Sequence, residues 1–325
     1  MLVIKREEIE KLIDMGEVIE AVEKAFLDFS IGKTICPKRL YMNVKEDGFI
    51  FIMPAYIATL EALGLKVVTQ YLQNLKKGLP TVLASILLND SETGKSIALM
   101  EGTYITALRT GAFSGVATKY LARKDSEIVC IIGAGAQAET QLWAMLTILK
   151  NVKEVKVYDV ISERAEKFAD KMSRKWGIDI KIMKNCEECI KGSDVIITAT
   201  TSKNPVLDGD WIKDGTHINS IGWMGPEGRE LDDKTIKKAK IIVDSREGVF
   251  SESGDIIIPL KSGIISEKDV YAELGEIVSG IKKGRINEKE ITCFKTVGLA
   301  IGDIATAKLV YEKALKEGVG IQLEL

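Results

Sequence analysis

Gly133-Ala134-Gly135-Ala136-Gln137-Ala138 is the segment whose spacing points most directly to chemistry. It follows a short apolar run, residues 128–132, and opens a helical pattern that continues to about residue 149. An acidic residue, Asp159, closes the next apolar run. A glycine turn between strand and helix, with an acid ending the following strand, is the arrangement a dinucleotide site requires. Gly133 permits the tight turn, Gly135 lets backbone approach a pyrophosphate, and Ala138 lets helix and sheet pack closely. N–H groups at the start of the helix are free to face phosphates. A carboxylate at Asp159 accepts hydrogen bonds from ribose hydroxyls and repels a 2′-phosphate, which favours NADH. Ser162 and Arg164 lie near enough in sequence to accommodate that phosphate, so NADPH stays open as the alternative.

A second group is cationic. Arg39 opens a strand-like segment, Lys66 lies inside the apolar strand 63–68, and Arg109 lies inside a Gly/Ala-rich helix. Each alone suits a snorkelling or salt-bridged side chain. A lysine between Leu65 and Val67 that faced a cleft would be desolvated, and its pKa would fall into a range useful for proton transfer. Converging cations would also clamp a carboxylate.

Composition removes other answers. The 325 residues include 45 Lys+Arg, 47 Asp+Glu and one histidine, for a net charge of −2. That balance gives no broad electrostatic reason to expect nucleic acid or an anionic membrane as partner. A single histidine rules out zinc sites built on two or three imidazoles, and no metal is expected. His217 sits in a strand-like segment, with no nucleophilic serine placed beside it, and reads as structural. Five scattered cysteines, Cys186 and Cys189 among them as an isolated C-x-x-C, suit incidental thiols in a reducing cytoplasm. The N-terminus turns charged after four residues, unlike a signal peptide, and no apolar run reaches about 18 residues. Lys outnumbers Arg and Gln is scarce, a bias seen in hyperthermophile chains.

The elements that must position these residues follow from periodicity. Residues 5–31 predict two helices. Strands are expected at 39–44, 49–53, 64–71, 81–88 and 95–100, and a long helix from about 103 to 122. The Gly and Ala content of that helix implies close approach of another backbone or of a ligand. From 127 onward short apolar runs alternate with helices, the pattern of a doubly wound parallel sheet. After about 265 the pattern reads as mainly helical. The expected fold class is α/β: a Rossmann domain at 122–265 inserted in a discontinuous α+β domain made of 1–121 and 266–325.

Taken together, these segments resemble the ornithine cyclodeaminase/μ-crystallin family, which includes archaeal alanine dehydrogenases and imino-acid reductases. The resemblance runs over essentially the whole length, through MPAY (53–56), KKGLPTVLASILLNDSETG (76–94), ITALRTGAFSGVATKYLAR (105–123), IIGAGAQA (131–138), DVIITATTSKNPVL (194–207), GTHINSIG (215–222), RELD (229–232), IIVDSREGV (241–249), AELGEIVSG (272–280) and FKTVGLAIGD (294–303). It implies a homodimer and a discontinuous substrate and dimerisation domain. It implies that Arg39, Lys66 and Arg109 hold a substrate carboxylate with Thr81 close by, and that Lys66 exchanges the proton. It implies a dinucleotide lined by Arg109, Thr110, Gly133, Gly135, Ala136, Gln137, Asp159, Thr200, Ile221, Met224, Lys295 and Val297.

Two departures are informative. Deaminating members resemble one another in a G-A-D-x-P-G-K-x-E-L-D segment; here Met224 stands at the Asp position. A carboxylate there can hold a substrate amino group, whereas a thioether cannot. Lys295 stands where the archaeal alanine dehydrogenase pattern has Asp. Both changes resemble the reductase and μ-crystallin branches. The expected activity is therefore NAD(P)H-dependent reduction of a small cyclic imino acid, Δ1-pyrroline-2-carboxylate, to L-proline, with Met224 beside the ring. Alanine dehydrogenase, ornithine cyclodeaminase and a non-catalytic NAD(P)H-binding protein are the alternatives.

Overall fold

A computed structural model of the chain describes residues 1–44, 48–222 and 225–324. The elements run β1 (Leu2–Ile4), α1 (Arg6–Leu12), α2 (Met15–Ser30), β2 (Thr34–Ile35), β3 (Leu40–Val44), β4 (Gly48–Ile57), β5 (Ala62–Tyr71), β6 (Val82–Asn89), β7 (Ser96–Glu101) and α3 (Gly102–Leu121). There follow β8 (Ile128–Ile132), α4 (Ala138–Ile148), β9 (Glu154–Tyr158), α5 (Ser162–Trp176), β10 (Ile180–Ile182), α6 (Cys186–Ile190), β11 (Val195–Thr198) and β12 (His217–Ser220). Then come α7 (Asp233–Lys238), β13 (Lys240–Val243), α8 (Arg246–Glu252), α9 (Gly254–Lys261), β14 (Val270–Glu273), α10 (Leu274–Val278), β15 (Thr292–Lys295), α11 (Ala300–Glu317) and β16 (Ile321–Gln322).

The chain divides into two compact units, one of residues 1–109 and 299–325, the other of residues 110–298. In the first, β16, β1, β7, β6, β5, β4 and β2 form a sheet in that order, with β3 also paired to β4. Along β5 burial alternates, with Ala62, Gly64, Lys66 and Val68 on the buried face. That period of two is what a half-buried strand dictates. Helix α11 packs on this face: Ile304 reaches the space beside Gly64 that a side chain there would fill. Helix α2, whose apolar stripe includes Val18, Val22 and Phe26, packs on α11. Its start is fixed by a capping box in which Asp14 accepts from Gly16 N at 2.7 Å and Glu17 accepts from Asp14 N at 3.2 Å.

The second unit is a parallel sheet of order β10-β9-β8-β11-β12-β15-β13-β14. Its central strands β8, β11, β12 and β15 are short and buried on both faces, as a sheet covered by helices on each side demands. The order reverses between β8 and β11, and ligands of such sheets bind at the carboxyl ends of the strands beside that point.

The region after 265 differs from its expected helical character. Residues 270–273 and 292–295 are strands β14 and β15 of the parallel sheet, while α11 is the one long helix there. A fully buried run of four residues, TCFK, carries no alternation to distinguish strand from helix. The contacts accordingly divide the chain at 109/110 and 298/299, where the sequence places boundaries at 121/122 and 265/266. The C-terminal half of α3 goes with the second unit. Gly111 lies so close to α4 that a Cβ would stand 2.5 Å from the Thr140 carbonyl oxygen, which is the close backbone approach its Gly/Ala content implies.

Candidate active site

Strand pairing sets one row of residues across the first sheet. Met53 pairs with Lys66, Lys66 with Ile86, and Ile86 with Met100. Leu40 pairs with Ile52, so Arg39, one residue earlier, heads the same row beside Met53. Met53, Ile86 and Met100 are buried, so Lys66 stands in an apolar row and is itself 1% exposed. Its Nζ lies 2.7 Å from Asp303 Oδ2, and Arg109 Nε lies 3.0 Å from Asp303 Oδ1. Burial pushes the Lys66 ammonium down to about 7; Asp303 opposes the fall, and the charges of Arg109 and Arg39 add to it. Arg39 stacks its guanidinium 5.3 Å above the Phe51 ring. The group therefore sets two cations, Lys66 and Arg109, on one carboxylate, with the charge of Arg39 close enough to act on Lys66. An entering carboxylate would meet net positive charge and a lysine that holds or releases a proton near neutral pH.

The second unit presents its own half of the expected chemistry. Gly133 follows β8 with φ +97°, and a Cβ there would stand 2.7 Å from the Ala199 carbonyl oxygen. Only glycine fits that position. Gly135 and Ala136 are exposed, and a Cβ on Gly135 would meet nothing within 4 Å. The loop backbone is thus open on the side where a pyrophosphate would approach. Asp159 Oδ2 accepts from Ala134 N at 2.9 Å and Oδ1 from Ile161 N at 2.8 Å. Each oxygen keeps a lone pair for a ribose hydroxyl. At the next strand end, Thr200 and Ile221 are half-buried, and Thr110 is buried on α3. Val297 N donates to Asp244, whose buried carboxylate also takes Thr296 Oγ1 and Gly298 N, so a single acid shapes that loop. The residues present fit a dinucleotide: an open glycine edge, a fixed acid, and ordered loops at adjacent strand ends.

Several expected residues stand elsewhere. Thr81 continues the ladder between β5 and β6, its carbonyl accepting from Tyr71 N at 2.8 Å. Lys66 pairs five residues further along, at Ile86, which puts the two backbones roughly 17 Å apart along the strand. Lys295, expected at the dinucleotide, is wholly buried, with Nζ 2.8 Å from Asp255 Oδ2 and 3.4 Å from Ser220 Oγ. Burial works against that charge, yet Asp255 and Glu230 hold its pKa above the usual value. It is the last residue of β15, a central strand, and its side chain is packed away from solvent against Asp255. Met224 lies outside the described residues. His217 is wholly buried with Nδ1 3.0 Å from Thr292 Oγ1; burial and then Arg285 push its pKa to about 3, which leaves it neutral and structural. The cysteines are free, with Cys130 Sγ and Cys189 Sγ 2.8 Å apart inside the second unit.

The family model for the ornithine cyclodeaminase/mu-crystallin family matches residues 1–318. The chain belongs to that family. One relative of known structure is the Δ1-pyrroline-2-carboxylate reductase of Thermococcus litoralis, solved in complex with NADH and L-proline. It is 58% identical over 99% of this chain and 100% of its own, with a TM-score of 0.97. Another is an archaeal alanine dehydrogenase, a dimer with bound NAD, 42% identical over 100% and 99% of the two chains, with a TM-score of 0.94. A Δ1-pyrroline-2-carboxylate reductase of Bacillus cereus is 41% identical over the full length of both chains. The fold is thus the two-part α/β architecture of the ornithine cyclodeaminase/mu-crystallin family.

Two acids carry no motif role of their own, although both lie in segments that carry the resemblance. Asp303 ends FKTVGLAIGD and Glu230 begins ELD. Asp303 had a visible signal: it is the lone charge in the run Ala300–Ala307 of α11, every residue of which is buried. An acid in such a stripe needs a cationic partner, and Lys66 and Arg109 are the partners. Among the described residues no helix is long and apolar enough to cross a membrane.

Proposed function

We propose that the chain is an NADH-dependent reductase of Δ1-pyrroline-2-carboxylate, forming L-proline. The observation that carries this reading is the buried Lys66 with its pKa near 7, set between Asp303, Arg109 and Arg39, in a chain 58% identical to a reductase holding NADH and L-proline. When bound, the reduced nicotinamide supplies a hydride to the imine carbon. Gly133, Gly135 and the N-terminal end of α4 hold its pyrophosphate, and Asp159 its ribose. Arg109 and Arg39 hold the substrate carboxylate and orient the ring. Lys66, protonated, donates to the imine nitrogen, directly or through water, because the iminium is the better hydride acceptor. Asp303 keeps Lys66 and Arg109 in register and prevents their mutual repulsion from expelling either. These terms are orientation and electrostatics; the redox chemistry belongs to the dinucleotide.

The same residues acting on pyruvate and ammonia would make an alanine dehydrogenase, and the 42% identical archaeal enzyme gives that reading support. Met224 argues against it, since a thioether cannot hold an amino group by charge. Ornithine cyclodeamination is disfavoured on the same ground. Purified protein with NADH or NADPH, assayed against the five- and six-membered cyclic imines and against pyruvate plus ammonia, decides. Oxidation of NADH with the five-membered imine supports the proposal; turnover with pyruvate and ammonia alone overturns it.

A homodimer belongs to the proposal. Leu40, Tyr41 and Met42 of β3 are 53%, 51% and 45% exposed, so apolar groups stand on both faces of one strand. Tyr41 joins Phe49 and Phe51 in an aromatic cluster with centroid separations of 5.2–5.8 Å. Such a strand left in water is an aggregation site, and a second copy covers it.

A further inference from the structure

Glu230 is wholly buried, and its carboxylate accepts four hydrogen bonds from two strand ends. Oε2 takes Thr198 Oγ1 at 2.9 Å and Gly222 N at 2.8 Å; Oε1 takes Thr200 N at 2.7 Å and Thr200 Oγ1 at 2.8 Å. Thr198 ends β11, and Gly222 follows β12, its neighbour in the parallel sheet. The fit is close: a Cβ on Gly222 would collide with Glu230 Oε1 and with the Thr200 backbone. Glu230 is itself held from behind. Asp255 Oδ1 accepts from Glu230 N and Leu231 N, both at 2.8 Å, and Asp255 Oδ2 pairs with Lys295. A carboxylate taken out of water is costly unless its lone pairs are filled. A fold that needed only apolar packing here would not place one. Four hydrogen bonds from two loops, at the carboxyl ends where doubly wound sheets take their ligands, give it a use.

We propose that Glu230 is a positioning residue for the dinucleotide. It clamps the ends of β11 and β12 into one edge, so that Thr200 and Ile221 present a fixed surface to the nicotinamide half. The inference rests on the reading of the second unit as an NADH site. Glu230 touches neither substrate nor cofactor; it acts through the loops it ties. Asp255 and Lys295 set its height beneath them, which gives Lys295 a part in cofactor binding without contact.

The test is NADH affinity, measured by isothermal titration calorimetry on the full-length protein, together with steady-state kinetics. In Glu230→Gln one carboxylate oxygen becomes an NH2 that in either orientation faces a backbone N–H, that of Gly222 or of Thr200, so the clamp opens. Its Kd for NADH rises by at least about tenfold, as loss of loop alignment requires, and KM for NADH rises while KM for the imine stays. Thr198→Val removes one donor at a wholly buried position and weakens NADH binding roughly fivefold. Thr198→Ser keeps the hydroxyl and binds as the wild type does. This pair decides the question if Glu230→Gln does not fold. Wild-type affinity in Thr198→Val, or equal losses in KM for NADH and imine, overturns the inference while the NADH reading stands. A wild-type protein that binds no NADH overturns both.

Discussion

In the proposed function Lys66 carries the chemistry of the first unit, and burial and the charge of Asp303 act on it in opposite directions. Burial lowers its pKa to about 7 and Asp303 keeps it from falling further. Two pH dependences follow, with opposite signs. In the unfolded chain Lys66 holds its proton up to its ordinary value of 10.5. Between about 7 and that value the unfolded state binds the extra proton, so this group's contribution to stability rises with pH. With Lys66 as the proposed donor, imine reduction needs the protonated form, and kcat/KM for the imine is expected to fall as pH climbs through about 7. A stability loss therefore does not explain the fall. Bound substrate adds a carboxylate beside the ammonium, so the limb in kcat lies at higher pH than the limb in kcat/KM. Lys66→Arg shifts that limb upward; a limb that stays in place belongs to another group, and Lys66 is not the donor. Lys66→Met loses about a hundredfold or more in kcat, the usual weight of a general acid, whereas the exposed Lys237→Met changes little. Asp303→Asn leaves two buried cations facing each other and costs about 3–5 kcal/mol of stability, read as a lower Tm. Lys66 and Arg109 were legible because a cation inside an apolar run is conspicuous. Their common partner lies 194 residues from Arg109, and no local pattern spans that distance.

At the level of an element, the glycine turn between β8 and α4 offers a way to separate folding from the proposed binding. Gly133→Ala places a methyl group against the Ala199 carbonyl oxygen at a φ of +97°. The expected outcome is a Tm lower by several degrees together with loss of NADH binding. Gly135→Ala meets no protein atom within 4 Å. It leaves the Tm unchanged and weakens NADH binding by at least about tenfold, because the added methyl occupies the pyrophosphate's approach. Equal affinity for NADH in Gly135→Ala and wild type would show that the loop does not carry the phosphates. One strand further, Asp159→Asn removes the charge that opposes a 2′-phosphate, so the NADH preference over NADPH, read as a ratio of kcat/KM values, narrows. This turn was readable because each of its parts is local: strand, glycines, helix start and acid fall within 30 residues or so. The resemblance implies Lys295 at the cofactor, whereas the fold buries its side chain against Asp255. β15 lies between β12 and β13, and a central strand of a covered sheet has no exposed side.

For the whole molecule, the exposed apolar residues of β3 predict assembly. Sedimentation of the purified protein is expected to give twice the 35.7 kDa chain mass. Leu40→Glu with Met42→Glu, two changes on one face of β3, is expected to give the single mass; a wild type already at 35.7 kDa would refute the assembly. The discontinuous layout was legible from the run of motifs. Its boundaries were not, because β14 and β15 are four-residue strands whose membership is decided by their neighbours in the sheet. The layout also has a bearing on synthesis. β1 pairs with β7 on one side and with β16, near the end of the chain, on the other. The helix that covers the buried face of β5 ends at residue 317. The unit inserted at 110–298 is complete before that helix is made. At about 5–20 residues per second, the strands up to β7 wait roughly ten to forty seconds for their cover. For that time the strand carrying Lys66 is expected to show its apolar row to the surroundings, so exposure to aggregation falls on the nascent chain and not on the finished enzyme.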